Sequence, residues 1–442
     1  MPVITAQMRQ ILSPMKKSVQ VLRRMADGDP TSTSDFLSAQ FQNPGDILSV
    51  LLLLGHEVVH KAIAQLAGAG PLTPVAFSYG WVAYAATALL AAFSDGKLMP
   101  STDTQEPLII SPTTGHHRTT RNWVISRLLR DLEYSFDAST KNEASHPDPN
   151  STEEVNLAPG QTRWEPLRVS VFEVDKTREP GVPIRDWIWF CGVGVILVQL
   201  VVSTVPWIRD GEWGPFIVTG AGTVLALISG SLPQFRKEKW ACPRDGGDAV
   251  ILTRGNGSRH AVLILRSKVS PSKSSEPTTD VSRGLDFEIL AEGSRPQFKR
   301  NRNANWETIR PSGITRGAVA VQAFFWVLLL ICTSGLKENT WYLLGIGLLG
   351  SIQNVIAASA IREPGTYGVH LNFKEKITGR SVREILKATE EKYEFAGLSL
   401  VDIFFPGSMR VKDSAEIAFW REVQDKRNGE NAFGHRIDSL PP

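Results

Sequence analysis

The sequence predicts a mainly α, polytopic helical membrane protein, with about six transmembrane helices as three hairpins and small mixed α/β cytosolic segments. Three observations carry this expectation. Charged residues, 21% of the 442, are segregated from the apolar residues in separate blocks. Four apolar runs of about 18–21 residues occur in two tight pairs, each long enough to cross a hydrocarbon core of roughly 30 Å as a helix. Aromatic residues stand at the run ends (Trp187, Trp189, Trp207, Trp213, Trp341 and Tyr342), where amphipathic rings anchor at a membrane interface.

Residues 1–45 read as a cytosolic amphipathic segment. Met8, Ile11, Leu12, Met15, Val19 and Leu22 form an apolar stripe beside Arg9, Lys16, Lys17, Arg23 and Arg24, interrupted at Pro14. That pattern suits either an anionic inner leaflet or packing on the cytosolic loops. It lacks the short apolar core and small-residue cleavage site of a signal peptide.

Residues 46–93 read as the first hairpin. The run 72–93 (LTPVAFSYGWVAYAATALLAAF) carries no charge and reads as a span. The run 46–68 is long enough, but His56, Glu57, His60, Lys61 and Gln65 occupy about half of its helical circumference. Such a helix either spans with its polar arc against protein or lies in the interface. The AGAGP turn at 67–71 leads straight into the next run, which favours spanning.

Residues 94–186 read as a cytosolic loop, with an amphipathic helix at 121–136, a polar Pro-rich excursion at 141–160 and a strand at 167–174. The second hairpin, 187–232, holds the runs 187–206 and 214–232. In the latter, Gly222, Ala226 and Gly230 lie four apart, a spacing that lets helix backbones approach closely in lipid. Residues 233–316 form a second cytosolic loop. There, two β-branched runs flank RGNGS to make a β-hairpin over 249–266, and 271–283 reads as disordered. The third hairpin, 317–361, holds the runs 317–334 and 341–361. Residues 362–442 form a cytosolic C-terminal segment with helices near 382–393 and 415–423.

Basic residues near the segment ends set the orientation. The links at 207–213 and 335–340 hold one each, Arg209 and Lys337. The opposite side carries Arg236, Lys237, Lys239, Arg244, Lys299, Arg300, Arg302, Arg310, Arg316, Arg362, Lys374 and Lys376. That side is expected to be cytosolic, with both termini and both long loops on it. The sequence does not say which membrane.

A net charge of +3 leaves no basic footprint for nucleic acid. Cys191, Cys242 and Cys332 have no paired spacing, which argues against a disulfide framework or a cysteine zinc site. No cofactor is expected.

One motif bears on chemistry. His56-Glu57-Val58-Val59-His60 matches H-E-x-x-H, which on a helix sets two imidazoles one turn apart for zinc with a carboxylate to activate water. The spelling resembles that of site-2 intramembrane metalloproteases over these five residues. A catalytic zinc needs a third protein ligand, and Asp95 is the nearby candidate, at a membrane end. Lys61 beside the motif opposes the metal charge. The competing reading pairs Glu57 with Lys61 at i, i+4 and leaves the histidines bonded to neighbours.

Across most of the chain after about residue 45, the sequence resembles a group of uncharacterised multi-pass membrane proteins of filamentous fungi. The stretches that carry the resemblance are FSYGWVAYAATALLAAFSDGKLMP (77–100), NWVISRLLRDLE (122–133), GVPIRDW (181–187), EKWACPR (238–244), VILTRGNGSRHAVLI (250–264), SGLKENTWYLLGIGLLGSIQNVIAA (334–358) and DIFFPG (402–407). The resemblance implies several spans with long hydrophilic loops. It implies no activity and no site residue.

The functional expectation is a non-enzymatic scaffold, sensor or regulator working through its cytosolic loops, with the lipid bilayer and a cytosolic protein as partners. A homo-oligomer is compatible with it. The alternatives are a small transporter or channel and, through His56, Glu57 and His60, a zinc-dependent intramembrane metalloprotease. Gln199, Thr219, Thr223, Gln322, Gln353 and Asn354 are the polar residues of the later spans, expected to hydrogen-bond between helices.

Overall fold

Two layers divide the chain, one of apolar helices and one built on a mixed β-sheet. The computed structural model describes residues 55–145, 165–266, 284–292, 298–300, 306–308 and 310–438, apart from positions 95, 176, 245–246, 337, 408 and 410–412. The expectations for residues 1–54, for most of the Pro-rich excursion and for 271–283 fall outside these residues.

The helices in chain order are α1 (His56–Leu66), α2 (Trp81–Phe93), α3 (Trp123–Ser145), α4 (Trp187–Asp210), α5 (Gly214–Gly230), α6 (Pro233–Lys239), α7 (Phe287–Ala291), α8 (Gly313–Ser334), α9 (Thr340–Ser359), α10 (Val382–Lys392), α11 (Ala396–Phe404) and α12 (Ser414–Asp438). The strands are β1 (Leu108–Ile110), β2 (His117–Thr119), β3 (Arg168–Val174), β4 (Val250–Thr253), β5 (His260–Leu265), β6 (Phe298–Arg300), β7 (Trp306–Thr308) and β8 (Leu371–Ile377).

Among the described residues, four helices are long and apolar enough to cross a membrane: α4, α5 continued by α6, α8 and α9. They coincide with the four clear apolar runs of the sequence. Side-chain caps fix the starts of two of them. Asp186 caps α4 by accepting from the Trp189 amide at 3.1 Å, and Ser312 caps α8 through the Thr315 amide at 3.2 Å. Val201, Ile208, Phe324 and Ile331 stand exposed on the outer faces, an apolar band of the kind that lipid or a partner covers.

The first predicted hairpin differs from expectation. Within 72–93 only α2 is helical, 13 residues or about 20 Å. Residues 71–80 run instead as an extended chain, with Thr73 to Ser78 buried among α4, α5 and α9. Pro71 and Pro74 disfavour helix there, and Gly80, at φ 91°, turns the chain into α2. Hydropathy alone could not separate the two, because a buried extended chain and a buried helix are equally apolar.

Of the favoured span at 46–68, residues 46–54 lie outside the described residues. Its described helix, α1, has 11 residues, about 16 Å, and Gly55 in the left-handed region at φ 85° precedes it. That length falls short of a bilayer core.

The hydrophilic stretches, expected as small mixed α/β segments, contribute to a six-stranded sheet with strand order β2-β1-β4-β5-β3-β8, while β6 and β7 pair apart from it. The β3–β5 pair is parallel and all others are antiparallel. Three distant parts of the chain contribute: β1 to β3 from the first loop, β4 and β5 from the second, and β8 from the C-terminal segment. The β4–β5 hairpin lies where the sequence placed it, with Gly255 and Gly257 at φ 91° and 89° in its turn. Both sheet faces are covered. Leu128, Leu129 and Leu132 of α3 pack on Phe172, Leu252, Val262 and Ile264, while Ile385, Leu386, Leu398 and Leu400 of α10–α11 pack on Val169, Val171, Ile251 and Leu263. The alternation along each strand is the period-2 pattern of a two-faced core.

Candidate functional site

The H-E-x-x-H residues open α1, at the edge where the two layers meet. His60 Nε2 lies 2.7 Å from the Leu98 carbonyl oxygen, and its ring lies 5.6 Å from that of Tyr84. Glu57 is exposed and pairs with Lys61 at 3.7 Å, and Lys61 also reaches Asp103 at 3.4 Å. A metal bound through His60 Nε2 would require the Leu98 bond to break. Asp95 lies outside the described residues. Among the described residues no group of three or more His, Cys, Asp or Glu side chains is placed to hold a metal ion.

A polar cluster forms a seam between the layers, and two of its members stand just beyond the ends of apolar runs. Arg362 follows α9 and Asp186 precedes α4. The guanidinium meets the carboxylate in bidentate fashion, Nε to Oδ2 at 2.8 Å and Nη2 to Oδ1 at 2.8 Å. Its Nη1 donates to the Gln65 carbonyl at 2.7 Å. The Arg362 backbone amide donates to Asp131 Oδ2 on α3 at 3.0 Å, and the same oxygen accepts from the Tyr367 hydroxyl at 2.5 Å. Arg130 Nε completes Asp131 from the other side at 2.6 Å. Burial and the adjacent Asp131 carboxylate hold the Tyr367 hydroxyl protonated, its pKa pushed well up.

Lys239, fully buried at the end of α6, donates to the Gln65 and Ala67 carbonyls at 3.2 and 3.0 Å. These are among the last carbonyls of α1, where a cation also meets the negative end of the helix dipole. Glu238, one residue earlier, accepts from the Leu98 and Met99 amides at 2.7 Å each. Each carboxylate of the seam is matched to a guanidinium or to backbone donors. Its chemistry is that of a rigid joint, not of a reactive centre.

A second constellation lies inside the helical layer, around the extended segment. Asn354 of α9 binds Ala76 at two points, accepting from its amide at 3.2 Å and donating to its carbonyl at 3.0 Å. Gln199, midway along α4, donates to the Phe77 carbonyl at 2.7 Å and the Ile346 carbonyl at 2.8 Å. Ser231 and Ser351 accept from the Thr73 and Tyr79 amides. Glycines admit the chain. A Cβ on Gly192 would lie 2.3 Å from the Pro74 carbonyl oxygen, and one on Gly350 only 1.9 Å from that of Phe77. Trp326 of α8 stacks between Phe77 and Trp81, with ring centroids 6.3 and 5.1 Å away.

The polar residues singled out from the sequence therefore act in two ways. Gln199 and Asn354 hold the extended chain, while Gln199, through the Ile346 carbonyl at 2.8 Å, and Gln353, bonded to the Ile188 carbonyl at 3.5 Å, each join one long helix to another as expected. The Gly222, Ala226 and Gly230 face receives Phe77 and Thr73 rather than a helix backbone. Of the seam residues, Arg362 was named only as a marker of orientation, and Asp131, Asp186 and Tyr367 were not singled out. For Arg362 and Asp186 the signal was a charge immediately beyond a span on each of two distant runs, which reads only as orientation until the ends are brought together.

No family model, curated protein or solved structure matches the chain.

Proposed function

We propose that the chain is an integral membrane protein with its termini and long loops in the cytosol, acting as a non-enzymatic sensor or regulator whose sheet layer works as one unit with its spans. The observation that carries this reading is the Arg362–Asp186–Asp131 seam, which ties the ends of α4 and α9 to the helix covering the sheet. A tilt of either span then displaces α3, and a ligand on the sheet layer acts on the spans by the same route. The basic residues at the ends of the long helices support the orientation. Six crossings would require α1 and α2, with residues before 55, to complete the first hairpin.

Two measurements on the full-length chain test this. Proximity labelling from its C-terminus is expected to capture a reproducible cytosolic partner, lost when the exposed sheet-layer surface is altered. The Asn256 sequon in the β4–β5 turn is expected to stay unglycosylated. A glycosidase-sensitive shift at Asn256 would overturn the orientation, and absence of any reproducible partner would overturn the role.

One observation favours transport as a second reading. An extended chain midway along the long helices, flanked by α1 and α2, resembles the broken helices of transporters. Against it, the space beside Phe77, Ser78 and Tyr79 is only about 10 Å³, room for about one water and for no larger substrate. Substrate flux in reconstituted vesicles that is abolished by Gln199→Leu at equal protein abundance would favour transport over regulation.

A further inference from the structure

A cleft of about 700 Å³ opens between α3, β3, β8 and residues 363–370. Phe136 and Phe172, both buried, give it an apolar floor, and Arg168 of β3 lines its wall. Arg168 is only 5% exposed. Its Nη1 reaches the Phe136 carbonyl at 3.5 Å, Ser139 Oγ at 3.3 Å and Thr140 Oγ1 at 3.2 Å, and its guanidinium lies 4.8 Å from the Phe136 ring centroid. Its buried Nε has no hydrogen-bond partner. Among the described residues no carboxylate forms an ion pair with it. A buried guanidinium without a counter-ion is costly, and here it borders a cleft in the size range of ligand pockets.

The carboxylates on the cleft do not supply the missing charge. Asp175 is held by the Thr177 amide and hydroxyl at 2.8 and 2.7 Å and faces Arg178 at 3.9 Å. Glu363 also lines the cleft, and among the described residues it forms no ion pair with Arg168. Two exposed apolar side chains line the cleft: Phe373 is 54% exposed, and Ile184, two residues before the Asp186 cap of α4, is 37% exposed.

We propose that this cleft binds an anionic amphiphile, with its phosphate or carboxylate on Arg168 and its apolar part along Phe136, Phe172 and Phe373. A lone inorganic anion would leave the aromatic floor wet, and an uncharged lipid would leave Arg168 unmatched. The same head and tail are offered by an anionic membrane lipid and by a free acyl acid. The membrane source alone rests on the membrane reading above, and carbonate extraction of the native chain tests that reading separately.

The experiment uses full-length protein in phosphatidylcholine nanodiscs. Dihexanoyl phosphatidic acid, decanoate, dihexanoyl phosphatidylcholine and inorganic phosphate are titrated by intrinsic fluorescence, and long-chain phosphatidic acid is introduced in the disc. At least one anionic amphiphile is expected to saturate at a concentration at least tenfold below that of phosphatidylcholine and of phosphate. Arg168→Gln and, at the exposed rim, Phe373→Asp are each expected to weaken it about tenfold. The rim variant is expected to keep the ligand-free melting temperature, so it tests the site even if Arg168→Gln fails to fold. Response to the soluble amphiphiles alone identifies a free acid as the source, and response to the disc lipid identifies the membrane. Equal binding of phosphate, or binding that survives Phe373→Asp, would overturn the proposal.

Discussion

The side-chain amide of Gln199 donates to the carbonyl of Phe77 at 2.7 Å, deep within the layer of long apolar helices. An extended backbone has polar groups that no helix ladder satisfies, and in an apolar layer each must be matched by a side chain. Gln199 also reaches Ile346, so one residue ties α4, the extended segment and α9 together.

Gln199→Leu is therefore expected to destabilise the helical layer by about 1–3 kcal/mol, the usual cost of a buried acceptor left without its donor. Asn354→Leu, which strips the Ala76 amide and leaves the Ala76 carbonyl with the Trp81 indole N–H alone, is expected to cost a similar amount. Thermal unfolding in detergent, followed by tryptophan fluorescence, measures both. Trp326 and Trp81 stack beside the segment and report on it directly.

Two glycines of α9 separate packing from propensity. Gly350 faces the Phe77 carbonyl with no room for a Cβ, whereas Gly345 has nothing within 4 Å. Gly350→Ala is expected to displace the extended segment and to lower stability by about 1–3 kcal/mol or more, as overpacking does. Gly345→Ala is expected to be neutral or slightly stabilising, since alanine favours helix by up to about 1 kcal/mol. Equal melting temperatures for the two variants would contradict the close approach.

How much of this was legible follows from what each feature asks of the sequence. The four long helices announced themselves through length and hydropathy, and the β4–β5 hairpin through RGNGS between β-branched runs. The pairing of β3 with β5 and β8 was not legible. Residues 168–174 and 371–377 alternate and 260–265 is a continuous apolar run, but nothing local says which neighbours which. The extended segment was hidden because its polar needs are met by Gln199 and Asn354, more than a hundred residues away. Arg168 was missed for a similar reason. On a strand it reads as the polar half of an alternation, and only α3 packing over that face buries it.

Arg362 and Asp186 form the join on which coupling between the layers depends. Arg362→Met removes both bonds to Asp186 and the donor to Gln65. It is expected to cost about 3–5 kcal/mol, the range for breaking a buried ion pair from one side. Asp186→Asn keeps a capping oxygen for the Trp189 amide, so it isolates the charge. The two substitutions are expected to be non-additive by about 0.5–3 kcal/mol, as for residues in direct contact. Additive losses in a double-mutant cycle, read from detergent melting curves, would mean that the pair does not act as a unit.

The last prediction concerns pH and the sheet layer. Glu133 on α3 is buried against the β4–β5 turn, its Oε2 2.6 Å from Arg254 Nη2. Burial pushes its pKa from an ordinary 4.5 up to about 7, Arg254 opposes the rise and Asp137 adds to it. Between these two values the unfolded chain gives up the proton while the folded chain keeps it. The group's stabilising contribution is therefore complete below pH 4.5 and lost as pH rises through about 7. Glu133→Gln carries no titrating group and mimics the protonated form, while Arg254 remains free to reach water. Relative to the native chain, the variant should gain stability as pH rises, by on the order of 3 kcal/mol at most, since one pKa unit corresponds to about 1.4 kcal/mol. His260, which burial holds neutral near Asp137, loses stability on the acid side in both chains alike and so cancels in the difference. Melting temperatures of the two proteins at pH 5, 6, 7 and 8 measure this. A difference that stays constant across the series would mean that Arg254 keeps Glu133 ionised throughout, with the ion pair outweighing burial.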